Sequence, residues 1–151
     1  MHSNDNPIKI LVISRNPLMA DFLESVLDPK KYQVSMINPT PEEIASTRRI
    51  SPDLFVIDEL DSKMDVLTVC EKIRQYSGMP IMVLSSARKA GMVEQVLDAG
   101  ADEYLTKPVP GNLMIAHLNT LARRARAEKD AALSIVQGES ESCGQLGLLT
   151  Y

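Results

Sequence analysis

Five polar residues of this sequence closely follow short apolar runs, and their types could do chemistry together. They are Ser14 and Arg15 after residues 8–13, Asp58 after 54–57, Ser85 after 81–84 and Lys107 after 102–105. A carboxylate can act as a nucleophile, an ammonium can balance the charge beside it, and a hydroxyl can donate a hydrogen bond. If the runs are parallel strands, these side chains meet at one edge of the sheet, where such folds bind ligands.

The apolar runs alternate with segments whose apolar residues recur three and four positions apart, which is typical of amphipathic helices. Thr40 and Pro41 predict the start of the second helix, and Gly100 predicts the end of the fourth. The predicted strands are 8–13, 32–37, 54–57, 81–84 and 102–105. Five such βα units predict an α/β, flavodoxin-like, doubly wound parallel sheet of order 2-1-3-4-5, with helices on both faces.

Three segments resemble the receiver domain of two-component response regulators. Pro52-Asp53-Leu54-Phe55-Val56-Ile57-Asp58 resembles the segment that ends on the family's phosphorylated aspartate. Pro80-Ile81-Met82-Val83-Leu84-Ser85-Ser86-Ala87 resembles the fourth strand with its hydroxyl residue, and Ala99-Gly100-Ala101-Asp102-Glu103-Tyr104-Leu105-Thr106-Lys107-Pro108 resembles the fifth. The resemblance covers residues 8 to about 125, and the order and spacing of the three segments support it together.

This resemblance implies a role for each matching residue. Asp58 would be the phosphoacceptor, and Lys107 would pair with it and neutralise the phosphoryl oxygens. Ser85 would donate its hydroxyl to a phosphoryl oxygen, and Tyr104 would turn inward as the second switch residue. The Lys107-Pro108 peptide bond is expected to be cis. Taken singly, each residue could instead be a helix cap, a solvated loop charge or half-buried packing.

The acidic pair with which receivers hold Mg²⁺ is missing. Its two positions carry Ser14 and Arg15, neither of which is an anionic ligand. Two unit charges about 4 Å apart interact by roughly 4 kcal/mol at an effective dielectric of 20. Replacing the two acids with these residues should therefore weaken Mg²⁺ binding severely. We therefore expect no firmly bound cofactor, and we expect Mg²⁺ to bind only weakly, through Asp58. Glu59 and Asp61 could replace the missing ligands, but neither occupies a position where the family has one. Two alternatives remain for Arg15, since its guanidinium could pair with Asp58 and lower the pKa of that carboxyl, or it could point into solvent.

Composition excludes several other classes of protein. The net charge of -4 gives no electrostatic reason for direct nucleic-acid binding. Cys70 and Cys143 lack metal-ligand spacing, and we expect both to be reduced, as in a cytoplasmic protein. Neither a signal segment nor a membrane span is visible, and no Gly-rich phosphate loop favours a flavodoxin-like enzyme or nucleotide binder.

The predicted organisation is a disordered N-terminus at 1–7, a receiver domain at 8–125, and a helical extension with a flexible tail at 126–151. Residues 137–142 are polar and expected to be flexible, and the apolar run 144–149 could open a second domain or be a frayed tail. By resemblance, the partners would be a histidine kinase or phosphotransfer protein, a C-terminal effector domain, and a second copy through the fourth helix, fifth strand and fifth helix. Basic residues could contribute to that face or form a solvated patch: Arg88, Lys89, Arg123, Arg124 and Arg126.

Two functions of different classes follow. The first is a non-enzymatic, phosphorylation-regulated receiver, which the presence of Asp58, Ser85 and Lys107 favours. The second is a pseudo-receiver, a protein-interaction module that works without phosphorylation, which the loss of acids at Ser14 and Arg15 favours.

Overall fold

A five-stranded parallel sheet forms the centre of the protein in a computed structural model that describes residues 6–58, 65–86 and 89–149, with the backbone alone for 134–149. The strands are β1 (Ile8–Ile13), β2 (Tyr32–Ile37), β3 (Leu54–Asp58), β4 (Ile81–Ser85) and β5 (Glu103–Thr106). Their order is β2-β1-β3-β4-β5, and every neighbouring pair is parallel. The fold class and strand order predicted from the sequence are therefore confirmed.

The three central strands are buried on both faces, which explains why their sequences are nearly continuous in apolar residues. Because successive side chains of a strand point to opposite faces, alternate residues enter two separate cores. Ile10, Val12 and Val56 pack on one face with residues of the first and last helices. On the other face, Leu11 and Ile57 pack with residues of the second, third and fourth helices.

The helices on these faces are α1 (Leu18–Val26), α2 (Pro41–Ile50), α3 (Val66–Arg74), α4 (Met92–Asp98) and α5 (Gly111–Leu149). The predicted start of α2 is confirmed, since Thr40 Oγ1 accepts a hydrogen bond from Glu43 N at 3.2 Å and Pro41 is the first helical residue. Gly100 lies just beyond α4 with a φ of 122°, a left-handed conformation that glycine adopts without strain. None of the described helices is long and apolar enough to span a membrane.

The last helix is much longer than the sheet requires. Among residues 111–133 the last buried position is Ala125, but the helical backbone continues through Leu149, including residues 137–142, for which the sequence predicted flexibility. Extending an existing helix costs little, which favours a continuous helix here although Gly138, Ser140 and Ser142 are weaker helix formers than the Gln and Glu residues between them. At 1.5 Å per residue, a helix of 39 residues spans roughly 58 Å.

Two aspartates at the amino-terminal ends of strands connect α5 to the sheet. Asp53, which is 6% exposed, accepts a hydrogen bond from the second residue of β1 at 2.8 Å and lies 3.2 Å from Lys129 Nζ. Asp102 accepts hydrogen bonds from the first residue of β4 at 2.8 Å and from Arg74 Nη2 at 2.9 Å, and Arg124 contacts its other oxygen. Each carboxylate therefore binds both a strand backbone and a basic side chain of α5.

Candidate functional site

The carboxyl ends of the central strands bring the predicted site residues together. Asp58 is the last residue of β3 and only 4% exposed. Ile13 of β1 pairs with Ile57, so Ser14 emerges beside Asp58. On the other side of β3, Asp58 pairs with Leu84, the residue before Ser85. The sheet register thus fixes Asp58 between the ends of its two neighbouring strands.

Ser14 and Lys107 hold the Asp58 carboxylate from two sides. Ser14 is 1% exposed, and its Oγ lies 3.2 Å from Asp58 Oδ2 and equally 3.2 Å from the backbone oxygen of Asn16, so its single proton has two acceptors within reach. Its orientation is fixed further by Asn16 N, which donates to Ser14 Oγ at 3.0 Å. Lys107 Nζ contacts Oδ1 as an ion pair, without the geometry of a directed hydrogen bond. One oxygen therefore has a neutral donor and the other a positive charge.

The end of β5 sets the position of Lys107. Ser85 pairs with Thr106 in the register, and Lys107 N donates to the backbone oxygen of Ser85 at 2.9 Å, continuing the strand pairing by one residue. The Lys107-Pro108 peptide bond is cis, as expected. The Lys107 side chain is partly exposed, at 28% of its surface.

Tyr104 and Ser85 occupy the same edge at different depths. Tyr104 pairs with Val83 and packs, half-buried, against the core that contains α3 and α4. Ser85, at the end of β4, is also partly buried. Ser85 therefore lies on the strand next to β3, whereas Tyr104 lies on β5, two strands from Asp58, and neither residue is fully buried.

The described residues do not fit a Mg²⁺ ion. The acidic-pair positions hold the Ser14 hydroxyl and Arg15, whose side chain is exposed, whereas Mg²⁺ prefers carboxylate oxygens. Among residues 6–58, 65–86 and 89–133, no group of three or more metal-binding side chains converges. Glu59 and Asp61, considered from the sequence as replacement ligands, lie outside the described residues. The side chain of Arg15 is exposed.

Ser14 is the contact that the sequence did not reveal. The spacing placed it at an acidic-pair position, where it was considered only as a residue that is not an anionic ligand. A serine directly after β1, beside the strand that ends in Asp58, was the available signal. Its partner could not be chosen without the rotamer that directs the hydroxyl toward β3.

Comparison with known proteins identifies the family of this chain. The family model for the response regulator receiver domain matches residues 10–119. The DNA-binding response regulator MtrA of Mycolicibacterium smegmatis is 30% identical over 84% of this chain and 56% of its own length. The chain thus spans about half the length of the curated relatives it matches.

Solved structures agree as well. A two-component response regulator from Clostridium difficile superposes with a TM-score of 0.69 at 26% identity, covering 78% of this chain and 97% of that one. A CheY-like receiver domain protein from Methanospirillum hungatei has a TM-score of 0.70 at 20% identity, covering 82% and 99%, which supports the fold alone. The chain belongs to the response regulator receiver domain family of two-component signalling.

Proposed function

We propose that this receiver accepts a phosphoryl group on Asp58 without an ordinary Mg²⁺ site and passes on the signal by protein contact. The observation that carries the proposal is the buried Asp58 carboxylate, held by the Ser14 hydroxyl and the Lys107 ammonium. In the described part of the chain, Asp58 faces two side chains from two other strand ends.

The chemistry is the transfer of a phosphoryl group to a carboxylate oxygen. An Asp58 oxygen attacks phosphorus in line, and a P–O bond forms to give an aspartyl phosphate. The bond from phosphorus to the donor breaks, and its electron pair leaves with the donor group, which takes up a proton from solvent. Lys107 loses its Coulomb attraction to the free carboxylate and instead neutralises the negative charge on the equatorial phosphoryl oxygens. Ser85 supplies a hydroxyl to a phosphoryl oxygen, and Tyr104 follows it inward.

The weak binding of Mg²⁺ in this proposal follows from the small number of carboxylates at the site. A receiver with two acids places three carboxylates around the ion, whereas here Asp58 is the single carboxylate among the described side chains of the site. At an effective dielectric of 20, each missing charge about 4 Å away removes roughly 4 kcal/mol of attraction per unit of charge on the ion. Since each 1.4 kcal/mol is about tenfold in affinity, the loss exceeds what the Ser14 hydroxyl can replace.

The test is intact-mass measurement after incubation with acetyl phosphate, with Mg²⁺ and with a chelator. We expect one added phosphoryl group in both conditions, located on Asp58 by peptide mapping. Asp58→Asn, which keeps the shape of the side chain, is the control and should show no addition. Labelling that persists in the control, or that requires Mg²⁺, would contradict the proposal.

A pseudo-receiver is the second candidate, and the contacts of Asp58 favour it in one respect. Both carboxylate oxygens already have a partner, so the unphosphorylated state is stabilised without any ligand. In that case the same experiment would leave the mass unchanged, while Asp58→Asn would still alter binding to the output partner.

The partners proposed for the whole protein follow from its relatives. A histidine kinase or phosphotransfer protein would supply the phosphoryl group. The MtrA relative is named as DNA-binding and is about twice as long as the match, so we propose a C-terminal effector domain joined through α5. Any contact with DNA would belong to that effector, since the net charge here is -4.

We also propose a homodimer through α4, β5 and α5. Val93 and Leu97 of α4 and Leu113 of α5 are 38%, 40% and 46% exposed, which gives this face an apolar component. Among the basic residues considered for it, Arg124 is engaged with Asp102 and Glu128 within the chain, and Arg88 lies outside the described residues. Light scattering of Leu97→Asp should report a monomer, and Leu18→Asp on α1 is the matched control. A monomeric parent protein at high concentration would contradict the dimer.

A further inference from the structure

A groove between α1 and α5, at the end of the sheet away from Asp58, carries positive charge that the fold itself does not use. The groove has a volume of about 370 Å³ and lies between the end of α1, the start of β2 and the middle of α5. Lys31, Arg123 and Arg126 line it. In the described part of the chain, none of these three cations forms a salt bridge, and the contact of Arg123 is a long one of 3.4 Å to Thr120 Oγ1.

The neutral polar groups of the groove also favour an anion. Tyr32 Oη donates to Asn119 Oδ1 at 2.7 Å, which leaves the amide N–H groups of Asn119 as donors. Burial raises the pKa of the Tyr32 phenol, and the nearby charges of Arg126 and Arg123 oppose that rise, so both guanidinium groups lie within electrostatic reach of the phenol. Because the basic side chains and the Asn119 amide N–H groups are all hydrogen-bond donors, they favour a ligand with many hydrogen-bond acceptors.

Apolar residues form the rest of the groove. Val26, Leu27, Ile115 and Ala122 line it between the cations, and Val26 is 48% exposed. A bare inorganic ion would leave this surface in contact with water. Sites of a few hundred cubic ångströms that combine an apolar wall with a few convergent polar groups are typical of small organic ligands. Asp28, the acid of the groove, accepts a hydrogen bond from Lys30 N at 2.9 Å.

We propose that this groove binds a small phosphorylated anion with an apolar body, of the nucleotide class, and that the ligand bridges α1 to α5. Its phosphates would contact Arg123, Arg126 and Lys31, and its body would lie against Val26 and Ile115. The proposal does not depend on phosphorylation of Asp58. Because α5 continues through Leu149 beyond the sheet, a ligand here would stiffen the helix where it leaves the domain.

The test is an NMR titration of the full chain with ATP, without divalent metal, following the backbone amides of Tyr32 and Asn119. We expect saturable shifts confined to the groove. Arg126→Ala should weaken binding about tenfold or more, as one charge-assisted hydrogen bond implies. Arg49→Ala, which removes an exposed arginine of α2, is the matched control and should leave affinity unchanged, as should Asp58→Asn.

Adenosine and pyrophosphate divide the ligand into its two parts, and each should bind more weakly than ATP. No saturation at millimolar ATP would overturn the proposal, as would equal losses in Arg126→Ala and Arg49→Ala, which would indicate general electrostatics. Pyrophosphate binding as tightly as ATP would reduce the groove to a site for inorganic anions. Binding of an acidic peptide in place of ATP would assign it to a protein segment.

Discussion

Restoring one acid at the site should create Mg²⁺-dependent stability that the parent protein lacks. In Ser14→Asp, a carboxylate replaces a hydroxyl whose oxygen lies 3.2 Å from Asp58 Oδ2. Two carboxylates about 4 Å apart repel by roughly 4 kcal/mol at an effective dielectric of 20. A hydrogen bond to a charged group, worth about 1.5–3 kcal/mol, is lost as well. Since Lys107 offsets part of the repulsion, we expect the metal-free variant to lose about 4 kcal/mol of unfolding free energy.

Mg²⁺ should then reverse much of this loss, because it binds the new carboxylate pair in the folded state alone. At a concentration one hundred times its Kd, it would return about 2.7 kcal/mol. Urea unfolding followed by circular dichroism, with Mg²⁺ and with a chelator, measures both numbers. Ser14→Ala separates the two effects, since it removes the hydroxyl without adding charge and should not respond to Mg²⁺. The reasoning is refuted if Mg²⁺ stabilises the parent protein as much as Ser14→Asp.

Three further predictions concern the rest of the fold. Asp102→Ala removes an acceptor from two guanidinium groups and from a strand N–H, and it should cost about 3 kcal/mol of unfolding free energy in urea. Arg124→Ala should cost about 1 kcal/mol or less, because the Arg124 side chain is 42% exposed. Equal losses in the two variants would contradict this prediction. Gly100→Ala should cost about 2 kcal/mol of unfolding free energy, because φ is 122° and the new Cβ would lie 2.6 Å from a side-chain carbon of α3. Gly78→Ala should cost under about 0.5 kcal/mol, because the new Cβ would meet no atom within 4 Å. Burial raises the pKa of the Cys70 thiol to about 11, so alkylation at pH 8, read by peptide mass spectrometry, should be about a hundredfold slower in the folded than in the unfolded protein. Because the unfolded thiol ionises first, the folded state should also lose stability as pH rises from about 9 to 11. Alkylation of native protein at the unfolded rate would be incompatible with this environment.

The fold was predictable because its strands have a strong local signal. The run Leu54–Ile57 is apolar without interruption, as a strand covered on both faces requires. The fifth strand was predicted at 102–105 and lies at Glu103–Thr106, because it is only partly buried and its alternation is weak. Asp102 lies just before the strand, and its N–H donates to the backbone oxygen of Ile81 at 2.8 Å.

Contacts between distant residues were not predictable to the same degree. In the sequence, Asp53 was only one residue of the segment that ends on Asp58, yet it pairs with Lys129, 76 residues later. Nothing in the local sequence of either residue specifies that partner. The length of α5 was likewise underestimated, because polar residues such as those at 137–142 resemble a flexible segment when no preceding helix is considered.

The positions of the candidate site residues at one sheet edge were predictable from the sequence, but the contacts between them were not. Asp58, Ser85 and Lys107 could be assigned to one sheet edge because parallel strands end together. The orientation of Ser14 and Arg15 depends on side-chain rotamers, which spacing does not determine. The hydrogen bond from Ser14 to Asp58 therefore emerged only from the structure.

The claim that this receiver has lost its Mg²⁺ site is tested most directly by titrating the unmodified protein with Mg²⁺. Two-dimensional NMR can follow the backbone amides of Ser14, Asp58 and Lys107 during the titration. We predict shifts that stay small and linear through the millimolar range, as for a nonspecific cation. Saturable shifts at low-millimolar Mg²⁺, confined to these three residues, would contradict the account.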